Sequence, residues 1–195
     1  MEDVQYKNNR LSDLSTLVSL YPPVLKPTKS FYEYVQNYCS LEISETSVNI
    51  ERICGRIQFI KFFGSKLFMI KVESSNIELQ ILARIDYYCN INEFVYWKKV
   101  LRRGDIISAI GCPGKSEKGI LSLIPNKIDL LAPCLHTIPK YHNGLTDDNS
   151  RFQKRYLDFI MHRDNRNIII ARSLVNKHIR DFLDSNGFIE IETPI

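Results

Sequence analysis

The chain has 195 residues, of which 44% are hydrophobic and 25% charged, and 26 basic side chains against 22 acidic ones leave a net charge of +4. That composition supports a packed core over one or two domains and excludes a disordered or collagen-like chain, while the mild basic balance permits a nucleic-acid partner without demanding one. No apolar run approaches the ~20 residues of a membrane span; the start MEDVQYKNNR has no apolar signal core and is not acid-free like a transit peptide, and five cysteines without a CxxC clip predict reduced thiols and a cytoplasmic protein with no membrane partner.

In chain order, Leu11, Leu14, Leu17 and Val18 recur at helical spacing and predict a short amphipathic helix, stopped by Tyr21-Pro22-Pro23. Ser30 and Glu33 have the S-x-x-E spacing of a capping box, and Phe31, Val35, Tyr38 and Cys39 follow on one face of a second helix. From Ile50 the texture becomes β. Ile53, Gly55, Ile57, Phe59 and Lys61 read as one alternating strand, turned at Gly64-Ser65. Leu67 to Val72 and Ile77 to Arg84 are a second and third strand. Asn90, with Glu93 three residues on, caps a helix carrying Phe94, Trp97, Val100 and Leu101, which ends before Gly104. Strands return at Ile106 to Gly111 and at Ile120 to Leu131, the last broken by Pro125, with PGKSEKG as the hairpin loop.

PCLHTIPKYHNG is a linker rich in Pro, Gly and Asn. Beyond it Asp148 to Ile160 is helical, with Phe152, Tyr156 and Phe159 on one face. A longer helix carries Ile168, Ala171, Val175, Ile179 and Phe182 and closes at Gly187, the left-handed C-cap position. Ile189 and Ile191 alternate with Glu190 and Glu192 as a half-buried strand whose acids form a solvated face.

Three strands, a helix and two strands is the order of the OB-fold, a five-stranded Greek-key barrel. The fold class expected is mixed β and α: such a barrel preceded by helices and followed by further helices and a strand. OB barrels stack single-stranded bases on aromatic residues of strands two and three. Phe68 sits in the second strand, Gln80 in the third, and Arg56 in the first. A phenyl face stacks a base for ~1–3 kcal/mol. A glutamine both donates to and accepts from a base edge, and an arginine pairs with phosphate. Against this, a phenylalanine in a barrel strand serves the core more often than a ligand, and Phe62 and Phe63 compete for the role.

No nucleotide-binding or nucleophile motif is present: there is no G-x-x-x-x-G-K-[ST], no G-x-S-x-G and no Gly-rich dinucleotide loop. The glycines and lysine of GCPGKSEKG lie inside a hairpin and not before a helix N-terminus, where a phosphate cradle would need them. His136, His142, His162 and His178 form no ligand pair with metal-site spacing.

The segments Gly55-Arg56-Ile57, FFGSKLF, LRRGDII, GCPGKSEKGILSL, LLAPCLHTIP, RFQKRYLDFI and IRDFLDSNGFIEIETP together resemble a class II lysyl-tRNA synthetase of the eukaryotic cytosolic type. RYLDFI and GFIEIETP are shared with aspartyl and asparaginyl synthetases; FFGSKLF, RRGD and LLAPCLH favour lysine. The resemblance implies a helical extension over 1–49, an anticodon-binding OB domain over 50–133, a linker over 134–147, and the start of a catalytic domain over 148–195 that stops at motif 1. It further implies that Phe68 stacks the central anticodon uridine, with Gln80 and Arg56 beside it. Val175, Ile179, Phe182, Gly187 and Pro194 would belong to a motif 1 homodimer interface.

In the intact family, lysine, ATP and Mg2+ give lysyl-adenylate, and lysine then passes to the 3′ end of lysine tRNA. Motifs 2 and 3, which grip ATP, do not occur in these 195 residues, so the chain by itself is expected to be inactive and to bind neither ATP nor Mg2+. The chain departs from the family at Ile120, where GELS is usual, and at Met69-Ile70-Lys71-Val72, where FxDL is usual. Both departures point to relaxed tRNA selection. Two alternatives remain open: a stand-alone RNA-binding OB module, or a fragment of an aspartyl- or asparaginyl-type synthetase.

Overall fold

The computed structural model describes residues 2–17, 19–23, 25–139, 145 and 147–192. It divides into two compact units, residues 1–138 and 139–195.

The first unit is built on a closed barrel of five strands, β1 (Glu51–Phe63), β2 (Leu67–Ser74), β3 (Ile77–Arg84), β4 (Ile106–Lys115) and β5 (Leu121–Ala132). They run β1-β2-β3-β5-β4 around the barrel. β3 pairs with β5 in parallel, Gln80 opposite Ser122, and β4 closes on β1 with Glu51 opposite Gly111 and Arg56 opposite Ile106. This is the OB-fold expected from the element order. The interior is filled by Ile53, Ile57, Phe68, Ile70, Val72, Ile81, Ile107, Leu123 and Ile128, all at most 1% exposed. A β-strand sends alternate side chains to opposite faces. Phe68, Ile70 and Val72 therefore point in, and Leu67, Met69 and Lys71 point out.

The first strand is not the simple alternation read from the sequence. Its register with β2 shifts between Ile57 and Phe59. Ile57 and Gln58 are both buried there, and the Gln58 amide donates to Glu73 Oε2 at 2.8 Å. A bulge of one residue exchanges the faces of everything beyond it. Ile53, Gly55 and Ile57 face inward, whereas Phe59, Lys61 and Phe63 face outward and are exposed.

The last strand also differs: β5 runs unbroken through Pro125. Pro125 lies opposite Gly111, where the β4–β5 register shifts, so its missing N–H leaves no gap in a regular ladder. A Cβ on Gly111 would sit 2.0 Å from the Ile124 carbonyl oxygen, so only glycine fits at this crossing.

Helices close the barrel. α1 (Glu2–Asp13) ends earlier than its leucine spacing suggests. Ser15 Oγ donates to the Ser12 carbonyl at 2.8 Å and competes with the helix there; Val18 lies outside the described residues. Leu14 is nonetheless buried, and Arg10 enters the interior to pair with Asp105 at 2.5 Å. Asp105 also accepts from the backbone N–H groups of Arg102 and Cys134. α2 (Phe31–Tyr38) has the full capping box. Its Tyr34 hydroxyl donates to the Ser122 carbonyl at 3.0 Å, and Phe31 packs where Gly55 leaves room. α3 (Ile91–Val100) is capped by Asn90 and buries Phe94, Trp97 and Val100. Phe94 lies 5.0 Å from the Phe68 ring and 5.6 Å from Tyr88. Each fully buried ring stabilises the barrel by about 1.5–3 kcal/mol through burial.

The second unit contains α4 (Asp148–Gln153), α5 (Arg155–Met161) and α6 (Arg163–Ser185). The single helix expected over Asp148 to Ile160 is two, because Lys154 leaves the helical region at φ −114°, ψ 51°. The strand expected at Ile189 to Ile191 does not form. No neighbouring strand among the described residues offers hydrogen-bond partners to its backbone.

Candidate nucleic-acid interface

The outward face of β1, β2 and β3 is a grid fixed by register. Lys61 lies opposite Met69 and Phe63 opposite Leu67. Met69 in turn lies opposite Leu82, Leu67 opposite Arg84, and Lys71 opposite Gln80. The β4–β5 hairpin rises on one side through Ser116, Glu117, Lys118 and Ile120, and together these elements bound a groove of about 500 Å³. Its floor is apolar where Phe63, Leu67, Met69, Leu82 and Ile124 meet, and its rim is polar and mainly basic.

Lys61 stands over the Phe63 ring at 5.1 Å from its centroid, and Arg84 over the Tyr87 ring at 5.7 Å. Among the described residues neither cation has a carboxylate partner, which leaves the charge available to a ligand. Gln80 donates to Ser122 Oγ at 3.0 Å, and that hydroxyl donates to the Ile120 carbonyl at 3.0 Å. The amide is thereby held in one orientation at the groove wall, and its oxygen remains as an acceptor. An apolar floor, a fixed amide and loosely held cations are the parts that bind a single-stranded base and its phosphates.

The residues singled out from the sequence do not all meet here. Gln80 lines the groove. Phe68 is fully buried on the opposite face of β2, between the rings of Phe94 and Phe62, and presents no ring face to a ligand. Its neighbour Met69 takes the outward position. Arg56 is on the far side of the Gln58 bulge and donates to the Gly104 carbonyl at 2.8 Å, away from the groove. Phe63, a competitor of Phe68 for the stacking role in the sequence, lines the groove, whereas Lys61 and Arg84 carry no sequence signal as ligand residues. One signal for Met69 was available: Lys71 cannot face the barrel interior, so positions 67, 69 and 71 must face out.

In the second unit Asp158 is buried and takes hydrogen bonds from Arg151, Arg155, His162 and Asn165 at 2.5–3.2 Å. Burial alone would raise its carboxyl pKa, but His162, Arg151 and Asn165 outweigh that and hold it below the usual range. Gly187, at φ +82°, closes α6, with the Phe188 N–H bonded to the Leu183 carbonyl at 3.1 Å. Val175, Ile179 and Phe182 are 57%, 51% and 60% exposed. Pro194 lies outside the described residues. Among the described residues no three His, Cys, Asp or Glu side chains converge to hold a metal ion, and no helix is long and apolar enough to cross a membrane. All five cysteines are free thiols.

Residues 147–195 match the family described as tRNA synthetases class II (D, K and N). Along nearly its whole length the chain is similar to lysine–tRNA ligases. It is 31% identical over 199 residues to lysine–tRNA ligase cla4 of Cladosporium cladosporioides, covering 98% of this chain and 33% of that one. It is 34% identical over 177 residues to the "Probable lysine–tRNA ligase, cytoplasmic" of Encephalitozoon cuniculi (strain GB-M1), covering 91% of this chain and 34% of that one. It is also 31% identical over 198 residues to the "Lysylphosphatidylglycerol biosynthesis bifunctional protein LysX" of Rhodococcus jostii (strain RHA1), covering 100% of this chain and 17% of that one. The chain spans about a third of the length of the two ligases. Over nearly its whole length the chain is thus similar to part of each of these lysine–tRNA ligases, and over residues 147–195 to the class II synthetase family.

Proposed function

We propose that these residues are the anticodon-reading part of a lysine–tRNA ligase, which charges lysine tRNA in the cytoplasm for protein synthesis. The observation that carries this reading is the outward groove, where Phe63 and Met69 form an apolar shelf beside Gln80 and beneath Lys61, Arg84 and Lys118. An anticodon loop presents unstacked bases on a charged backbone. One base lies on the shelf, the Gln80 amide oxygen accepts from its edge, and the cations meet the flanking phosphates. On this reading 1–49 is a helical extension, 50–133 the anticodon domain, 134–147 a linker and 148–195 part of a class II catalytic domain. The exposed stripe of α6 then seats a second subunit. Arg56, removed from the groove by the bulge, holds the Gly104 turn and does not touch RNA.

In the intact enzyme ATP and Mg2+ supply the activation of lysine. The residues described here do not fit that role, since no acidic cluster converges and Asp158 is wholly engaged by its own neighbours. No step of the activation chemistry is assigned to them. The similarity of the whole chain to ligases named for lysine favours that amino acid over aspartate or asparagine.

The test is binding of the chain to a lysine tRNA transcript and to the same transcript with the anticodon of aspartate. Preference for the lysine anticodon by tenfold or more is expected. Equal affinity for both, with a steep salt dependence, would reduce the interaction to backbone attraction.

A further inference from the structure

One wall of the groove does not come from the barrel. After α2 the chain turns at Glu42 to Glu45 and runs along the end of the β4–β5 hairpin. The Ser44 N–H bonds to the Lys115 carbonyl at 3.1 Å, the Lys115 N–H to the Glu45 carbonyl at 2.9 Å, and the Ser47 N–H to the Pro113 carbonyl at 2.7 Å. Thr46 bridges Gly114 in antiparallel fashion. Two residues apart, Ser44 and Thr46 both line the groove, and both are exposed. Their hydroxyls make no hydrogen bond among the described residues.

Lys115 also lines the groove, in a lysine-bearing loop where a phosphate contact would be the simple expectation. Its ammonium is occupied elsewhere. It donates to the Cys39 carbonyl at 3.1 Å and the Leu41 carbonyl at 2.9 Å, at the end of α2 where the helix leaves carbonyls without partners. The approach is close: a Cβ on Gly114 would lie 3.2 Å from both the Glu45 carbonyl oxygen and Thr46 Oγ1. Ser44 sits at φ +66°, a conformation a serine keeps only when its surroundings hold it.

We propose that residues 44–47 form a strap that supplies the second wall of the groove, where Ser44 and Thr46 hydrogen-bond the nucleotide next to the base on Met69, and that Lys115 is the residue that positions this strap. The proposal rests on the tRNA reading above. A hydroxyl both donates and accepts, so a pair on a held backbone selects the edge of an unstacked nucleotide. Lys115 acts through the strap and contributes no phosphate contact, whereas Lys118 on the same loop does.

The experiment titrates the full chain with a UUU anticodon stem-loop over a salt series, and follows amide exchange of residues 41–47 without RNA. For Lys118→Met, the slope of log affinity against log salt falls by about 0.7–0.9, as for one lost phosphate contact. For Lys115→Met, affinity falls about tenfold at unchanged slope and exchange at 41–47 accelerates; Lys115→Arg restores both. Ser44→Ala with Thr46→Val weakens binding severalfold and leaves exchange as in the wild type. A Lys115→Met chain that loses slope like Lys118→Met, with exchange at 41–47 unchanged, overturns the positioning role. Full affinity in the Ser44 and Thr46 double variant overturns the wall. A wild-type chain that binds no stem-loop overturns the tRNA reading and the wall with it, while the exchange result still judges the positioning of the strap by Lys115 separately.

Discussion

Phe68 and Met69 are adjacent, and the difference between them decides which of the two can meet a ligand on the proposed RNA-reading face. Phe68 has no exposed surface and is held by Phe94 and Phe62. Truncating such a side chain leaves a cavity and removes its packing, which costs about 3–5 kcal/mol. Phe68→Ala is therefore expected to lower the urea midpoint sharply, and a shift of the size seen for an exposed position would mean the ring is not in the core. The sequence contained the parity that separates these two residues, because Lys71 has to face water and Met69 shares its side. It did not contain the bulge. Gln58 is one polar residue in an apolar run, and only its hydrogen bond to Glu73 shows that it faces in and turns Phe59, Lys61 and Phe63 out.

Among the elements, those with a local signal were legible. The capping box of α2, the Asn90 cap of α3 and the Gly187 close of α6 all formed as their residues indicate. Two elements of the second unit were not. The Ile189 to Ile191 segment alternates correctly yet pairs with nothing described, and α4 and α5 part at Lys154, while Asp158 of α5 takes hydrogen bonds from Arg151 of α4 and Arg155 of α5. That hub makes a pH prediction. A carboxyl held below its unfolded pKa adds stability that is fully present above the ordinary carboxylate range near 3.9 and is lost as pH falls through the lower folded value. Unfolding of the second unit, followed by amide exchange of α5, is expected to become easier as pH drops below about 4. Asp158→Asn should remove most of that dependence, and an unchanged acid response would place its origin elsewhere.

At the scale of the whole molecule, two units share one chain and show different surfaces. The barrel unit presents a groove with an apolar floor and a mainly basic rim; the helical unit presents the apolar stripe of Val175, Ile179 and Phe182. Solvated apolar stripes drive association, so the chain is expected to scatter light as more than one copy of its 22.7 kDa mass. Ile179→Glu with Phe182→Glu should return it to that mass; an unaltered mass would put the contact on another face. On the proposed function, the outward face of the barrel, and not Phe68, reads the anticodon. The most direct measurement is a titration of wild-type, Met69→Ala and Phe68→Ala chains with UUU and UCU anticodon stem-loops at one salt concentration, under conditions where each chain is folded. If the outward face reads the anticodon, Met69→Ala abolishes the preference for the UUU loop and folded Phe68→Ala retains it. Loss of the preference in Phe68→Ala with its retention in Met69→Ala would contradict the account.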